Sequence, residues 1–228
     1  AKALELSNNI HFIVLTTYGC PPVANISRAD SLGNAASCTQ EHNNKILNGL
    51  AELAPKKILL IARWSLYHHG WIKGGKLQDE THYLCDFNCK EKASPETSFK
   101  VLEKNLTETA KRLAIKSEVI IIKGTPVLSK RGEEIFFYND TYKTRYIPDA
   151  KKHGKTQGKV NNMIDRISKN ENIQTFDPAI HLCDLGPCRM SDNNYLFYMD
   201  DNHLTPQGWL SMEQEINNLL TSNASTPP

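Results

Sequence analysis

The sequence lacks the features that mark a membrane-spanning segment, a nucleic-acid-binding protein or a repeat protein. No apolar stretch approaches the roughly 20 residues needed to cross a bilayer. Lys and Arg are spread along the chain without a basic run, and the formal net charge is +2, which argues against a nucleic-acid partner. The sequence also has no internal repeat. It shows neither a signal peptide nor an initial methionine, so we expect a piece of a longer protein or a processed product.

Length and composition fit one soluble domain. The chain has 228 residues, of which 39% are hydrophobic and 23% charged, and these values are ordinary for a globular protein with a sizeable core. The sequence therefore predicts a single domain over residues 1–220, followed by a polar tail at residues 221–228.

The six cysteines fall into three close pairs, namely Cys20 with Cys38, Cys85 with Cys89, and Cys183 with Cys188. We predict a disulfide within each pair; free buried thiols and zinc ligands are the alternatives. Zinc sites favour the Cys-x2-Cys spacing, which none of the three pairs has. Disulfides indicate an oxidising compartment outside the cytoplasm.

Apolar runs alternate with helical patterns along the chain. Buried strands are predicted at residues 10–15, 58–62, 119–122 and 173–176, and helices at residues 36–53 and 160–167, after Ser94 and after Thr205. Residues 63–93 are predicted as loop, and the charged, tyrosine-rich residues 130–155 as an insertion. Continuous apolar strands alternating with helices are typical of an α/β/α sandwich with a parallel sheet, in which ligands bind at the carboxyl ends of the strands.

The strongest candidate for catalysis is the pair Asp200 and His203, three residues apart and just before a helix N-terminus. Side chains at this spacing can meet on a tight turn, so the carboxylate can hold one imidazole nitrogen while the other takes a proton from a nucleophile. The alternative is a capping loop, in which Asp and Asn bond only to the local backbone.

The segment Asp200-Asp201-Asn202-His203-Leu204-Thr205, with Gly208, resembles the last conserved block of SGNH hydrolases. It is most similar to the SGNH domains fused behind membrane acyltransferase-3 domains in bacterial surface-polysaccharide O-acetyltransferases. Three further features occur in that family's order: Gly19-Cys20-Pro21-Pro22, Ile61-Ala62-Arg63-Trp64, and the loop from Cys183 to Cys188. The resemblance implies a three-layer α/β/α fold of SGNH (flavodoxin-like) type.

The sequence departs from the family pattern at two blocks. The block Gly-Asp-Ser-His, which supplies the serine nucleophile on the first strand, is not present, and we expect it upstream of Ala1. This fragment is then inactive by itself. Where other SGNH hydrolases place an oxyanion-binding Asn, this chain has Trp64, so the backbone N–H of Gly19 is the remaining oxyanion donor that the resemblance implies.

Several other residues allow two interpretations. Trp64 either packs in the core or contacts substrate, and Arg63 either pairs with a loop carboxylate or faces an anionic substrate. His68, His69 and His82 lie in a polar segment, but no carboxylate or Cys has the spacing of a metal site. Ser65 as a replacement nucleophile lacks a strand–turn–helix context.

The resemblance implies transfer of an acyl group, with acetyl the expected one, to a hydroxyl of a surface polysaccharide through a Ser-His-Asp mechanism. It also implies a preceding membrane acyltransferase-3 domain and a location on the periplasmic face of a bacterial inner membrane. This chemistry needs no cofactor and no metal. A carbohydrate esterase or deacetylase with the same triad, and a glycan-binding domain without a nucleophile, are the alternatives.

Overall fold

The computed structural model describes residues 13–28, 38–73, 76–79, 82–86, 94–138, 143–171, 173–183, 186–192 and 195–221. The strands, in chain order, are β1 (Ser27–Arg28), β2 (Lys57–Ile61), β3 (Trp71–Lys73), β4 (Lys76–Asp79), β5 (Leu84–Cys85), β6 (Glu118–Ile122) and β7 (Gln174–Phe176). The helices are α1 (Gln40–Leu53), α2 (Leu66–His69), α3 (Pro95–Ala114), α4 (Gly132–Phe136), α5 (Ala150–Glu171), α6 (Pro178–Leu182), α7 (Pro206–Leu210) and α8 (Glu213–Thr221). Within the described ranges, no helix has both the length and the apolar character needed to span a membrane.

The central sheet is parallel, as predicted. Its strand order is β2-β6-β7, with Ile58 opposite Val119 and Ile121 opposite Thr175. Two short antiparallel pairs, β1 with β5 and β3 with β4, lie outside this sheet. The parallel strands place their carboxyl ends along one edge, and in such sheets ligands bind at that edge.

Strand β6 shows why the sheet is covered on both faces. Val119 and Ile121 belong to one apolar cluster, which contains side chains of α1, α3 and α5. Ile120 and Ile122 belong to a second cluster, built with side chains of α6, α7 and α8. Successive strand residues point to opposite faces, so a continuous apolar run is buried only between two helical layers. The three-layer α/β/α class is confirmed.

Local hydrogen bonds explain where two of the helices begin. The Ser94 hydroxyl accepts from the N–H of Thr97 at 3.2 Å, while the Thr97 hydroxyl accepts from the N–H of Ser94 at 2.9 Å, which forms a capping box at the start of α3. The Thr205 hydroxyl accepts from the N–H of Gly208 at 3.1 Å and caps α7. In both helices Pro occupies the first turn, as the sequence predicted.

Two predictions for the first half of the chain need correction. Residues 10–12 of the predicted first strand lie outside the described residues, and residues 13–15 are exposed and unpaired with any described strand. An apolar run becomes a strand only when a neighbour satisfies its backbone. The predicted loop at residues 63–93 contains α2, β3, β4 and β5; these elements are too short to give a periodic signal.

The insertion at residues 130–155 stays a prediction, and the structure places α4 and the start of α5 within it. The sequence indicated a helix only from residue 160. The first half of α5 turns a polar stripe inward, since His153, Gln157 and Asn161 are all buried. These residues are four apart and share one face, so the helix has no apolar stripe there to reveal it. Residues 222–228 of the predicted tail lie outside the described residues.

His153 predicts a dependence of stability on pH. Burial, helped by the nearby charge of Lys123 and opposed by Asp177, lowers the pKa of His153. At pH values between the unfolded pKa of 6.5 and the lower folded pKa, the unfolded chain binds a proton at His153 and the folded chain does not. The free energy of unfolding therefore falls as the pH falls below about 6.5. We expect His153→Gln to reduce this slope in urea unfolding measured from pH 8 to pH 5. An identical slope in wild type and variant would contradict the assignment.

Two of the predicted disulfides are confirmed. Cys20 is bonded to Cys38, and Cys183 to Cys188. Cys85 is also disulfide-bonded, while its predicted partner Cys89 lies outside the described residues. The first bond ties the loop after Gly19 to the start of α1, and the second closes the small loop that follows α6. Both bonds limit the freedom of segments that have little regular structure.

Candidate active site

The loop from Tyr198 to Leu204 is closed by its own backbone. Tyr198 and Leu204 form an antiparallel bridge, and the Met199 N–H donates to the His203 carbonyl at 2.8 Å. The first turn of α7 packs so closely on this loop that a Cβ at Gly208 would collide with the Phe197 carbonyl oxygen. Glycine is therefore required at position 208 for α7 to pack against the loop in this shape.

This shape brings Asp200 and His203 together. The Nδ1 atom of His203 lies 2.6 Å from Oδ2 of Asp200. The other carboxylate oxygen, Oδ1, accepts from the backbone N–H groups of Asn202 at 2.8 Å and His203 at 2.7 Å. The turn therefore satisfies both interpretations of the sequence at once: Asp200 caps the local backbone with one oxygen and holds the imidazole with the other.

The environment keeps Asp200 ionised. Partial burial by itself would raise the pKa of this carboxyl, but the hydrogen bonds from the His203 ring and from the two backbone N–H groups outweigh it and lower the pKa. The His203 side chain is 69% exposed, and none of the described residues hydrogen-bonds to its Nε2 atom. An ionised carboxylate on Nδ1 and an accessible Nε2 are the two requirements of a general base.

The loop after β6 holds the Asp200 loop at the carboxyl edge of the sheet. The Thr125 hydroxyl donates to the Asn202 carbonyl at 2.6 Å. The N–H groups of Leu128 and Gly132 donate to the carbonyls of Asp201 and Asp200 at 2.8 and 3.0 Å. Sequence reasoning missed this support, although a polar residue shortly after a buried strand, such as Thr125 three residues beyond the end of β6, is a signal that could have indicated it.

Arg63 and Trp64 follow β2 and have different surroundings. Arg63 lies 4.0 Å from a carboxylate oxygen of Asp201, and burial lowers its pKa although Asp201 and Asp200 oppose the effect. Trp64 is 0% exposed, and its indole N–H donates to the Ile122 carbonyl at 2.7 Å. Of the two interpretations of Trp64, the structure supports core packing, because the ring is buried and its indole bonds the end of β6.

Gly19 adopts a left-handed conformation with φ 60°, beside the Cys20–Cys38 disulfide. The Gly19 carbonyl accepts from Arg28 at 3.2 Å. No described residue accepts from the Gly19 N–H, and an oxyanion donor must have an N–H that is available in this way. Burial raises the pKa of Tyr67, and the charges of Arg28 and Arg63 oppose this rise only in part. The oxyanion role of Gly19 stays a prediction.

The remaining candidates lie elsewhere. His68 is buried, with Nδ1 3.2 Å from the Pro95 carbonyl. Ser65 is also buried and precedes α2 with ordinary helical backbone angles, unlike an exposed nucleophile on a strained turn. In the part of the chain that the structure describes, no group of three or more His, Cys, Asp or Glu side chains could hold a metal ion.

This chain is similar to known proteins in its fold and in its family pattern. A solved structure of the periplasmic domain of a lipopolysaccharide acetyltransferase from Salmonella ser. Paratyphi A superposes with a TM-score of 0.59 and 16% identity, over 89% of this chain and 69% of that chain. The curated proteins gave no match. The family model for the SGNH domain (fused to AT3 domains) matches residues 2–218. The chain therefore belongs to the family of SGNH domains that are fused to AT3 domains.

Proposed function

We propose that this chain is the extracytoplasmic catalytic domain of an O-acyltransferase that moves an acetyl group to a hydroxyl of a surface polysaccharide. The observation that carries the proposal is the Asp200–His203 pair, with its 2.6 Å hydrogen bond and its exposed Nε2 atom. The family, and a structural neighbour named as a lipopolysaccharide acetyltransferase, support this reaction class. Each of these supports acyl transfer without fixing the sugar.

The mechanism proceeds in two steps. In the first, His203 Nε2 takes the proton of a serine hydroxyl while the serine oxygen attacks the acetyl carbonyl; the imidazolium then returns that proton to the leaving group. In the second, His203 takes the proton of a sugar hydroxyl, the sugar oxygen attacks the acyl-enzyme, and the proton returns to the serine. Asp200 orients the ring and stabilises the imidazolium, and the Gly19 N–H donates to the oxyanion. This chemistry uses no cofactor.

The serine belongs to a block encoded upstream of Ala1 in this proposal. Two observations support this. No hydroxyl among the described residues hydrogen-bonds to Nε2 of His203, and Ser65, the alternative nucleophile, is buried. The 228-residue chain alone should then hydrolyse no acetyl ester above background. The same domain extended through a Gly-Asp-Ser-His block should cleave one.

The disulfides and the family support a location outside the cytoplasm. Two confirmed disulfides favour an oxidising compartment, and the family is fused to AT3 domains. We place the domain on the periplasmic face of a bacterial inner membrane, with a membrane acyltransferase-3 domain delivering the acetyl donor.

The test of this function is product analysis with a labelled acetyl donor. The whole protein is incubated with donor and de-O-acetylated polysaccharide from the source envelope, and the label is followed into polysaccharide and into free acetate. Label in the polysaccharide is the expected result. Free acetate alone would identify an esterase, and no turnover by protein carrying the serine block would identify a binding domain.

Asp200→Asn should lower the transfer rate on the order of 10⁴-fold. The amide can still cap the backbone, but its NH₂ group would face Nδ1 and leave the proton on Nε2, so the ring could no longer accept one. The check is the initial rate of acetyl transfer. Asp149→Asn is the matched control, because Asp149 also accepts a backbone N–H, from Lys152 at 2.7 Å, and should keep the wild-type rate. Equal rates for both variants would contradict the role of Asp200.

A further inference from the structure

Four aromatic side chains lie on the segment that supports the Asp200 loop. Phe136, Phe137 and Tyr138 follow one another at the end of α4, and Tyr146 stacks on Tyr138 with ring centroids 5.4 Å apart and planes at 25°. The Phe136 and Phe137 rings meet edge to face at 5.8 Å and 80°. We call these four residues the aromatic platform.

The platform is fixed to the proposed catalytic loop. The N–H of Gly132, at the start of α4, donates to the Asp200 carbonyl at 3.0 Å. A Cβ at Gly132 would also lie 2.9 Å from the Tyr198 Cβ, so α4 packs against this loop at close range. At the other side of the platform, the Tyr146 carbonyl accepts from the Ser129 N–H at 2.9 Å. The platform therefore shares the carboxyl edge of the sheet with His203.

Two rings of the platform, Phe136 and Phe137, are exposed to solvent. Phe137 is 86% exposed and Phe136 37%. A single exposed apolar side chain needs no explanation, but adjacent exposed rings beside a reactive loop mark a binding surface. Tyr138 and Tyr146 are half-buried, which leaves part of each ring for contact.

Hydrogen-bonding groups alternate with the rings. Lys130 Nζ donates to the Tyr138 hydroxyl at 3.1 Å and lies 5.0 Å from the centroid of the Tyr146 ring. Lys143 Nζ lies 5.6 Å from the centroid of the Phe136 ring. Rings present a negative face to the C–H groups of a sugar, while ammonium and phenol groups can bond its hydroxyls or an acidic substituent. This mixture fits a carbohydrate better than a purely apolar partner.

We infer that the aromatic platform is the subsite that holds the acceptor polysaccharide, with Phe137 as its principal stacking ring. The inference rests on the proposed function, because it assigns the glycan of that reaction to a surface. Sugar residues next to the acetylated one lie across the rings, and Lys130 and Tyr138 bond their polar groups. Binding energy from these remote contacts positions the reacting hydroxyl at His203.

The test measures binding of polysaccharide from the source envelope, freed of lipid by mild acid, to the whole protein. We expect Phe137→Ala and Phe137→Leu to weaken binding by about tenfold, as expected when one ring contact is lost, and Phe137→Tyr to retain it. Ile115→Ala is the control: Ile115 is 77% exposed but precedes β6 at the opposite edge of the sheet, so binding should be unchanged.

Each alternative has its own outcome. If Phe137→Leu binds as well as wild type, ring stacking is not the interaction and the inference is overturned. If Phe137→Ala loses affinity for phospholipid vesicles and none for the polysaccharide, the platform contacts membrane and the inference is again overturned. His203→Ala separates the two proposals, since it should abolish transfer while polysaccharide binding remains. Unchanged transfer in that variant would refute the mechanism and leave the binding result intact.

Discussion

Replacing His203 by alanine in the whole protein is expected to lower acetyl transfer on the order of 10⁶-fold. The imidazole is the one group of the proposed site that both accepts and returns a proton, so its loss stops both steps. Asp200 cannot substitute, because its Oδ1 is engaged by two backbone N–H groups and its pKa is lowered, which makes it a poor base. The rate of label transfer from donor to polysaccharide measures the effect.

A second histidine provides the control for this variant. His181 Nδ1 lies 3.4 Å from a carboxylate oxygen of Glu215, so it is also a histidine paired with an acid, but it lies on α6 outside the proposed site. His181→Ala should keep the wild-type transfer rate. A His203→Ala protein that is folded and retains more than about a tenth of the activity would contradict the assignment of the base.

Replacing Trp64 by alanine is expected to destabilise the domain by about 3–5 kcal/mol. The ring is fully buried, so its removal leaves a cavity, and the Ile122 carbonyl loses the indole N–H that now donates to it at 2.7 Å. A loss of this size is a large fraction of the stability of an ordinary domain. Urea unfolding followed by circular dichroism gives the free energy directly.

Phe137→Ala is the matched comparison for the Trp64 variant, because it also removes a large ring, but from the surface. We expect its free energy of unfolding to stay within about 0.5 kcal/mol of wild type. If Trp64→Ala costs less than about 1 kcal/mol, the indole does not contribute to the core as its burial indicates.

The central strands could be predicted from the sequence because a strand that is buried on both faces consists of a continuous run of apolar residues. Strand β6 illustrates this, since four of its five residues are buried on alternate faces. The start of α3 was predicted by equally local chemistry, the Ser94 N-cap followed by Pro95 in the first turn. The start of α5 was missed because its buried stripe of His153, Gln157 and Asn161 looks like an exposed face in the sequence.

For the candidate site, the sequence by itself determined that Asp200 and His203 meet, because a three-residue separation on a turn is a local constraint that Gly208 and Thr205 reinforce. Only the tertiary structure decided that Trp64 is buried, that Thr125 holds the Asp200 loop and that the aromatic platform lies beside it. These outcomes depend on contacts between segments distant in sequence, such as the bond from Trp64 to Ile122. Composition and periodicity record whether a side chain prefers to be buried; which neighbour buries it is fixed only when the layers pack.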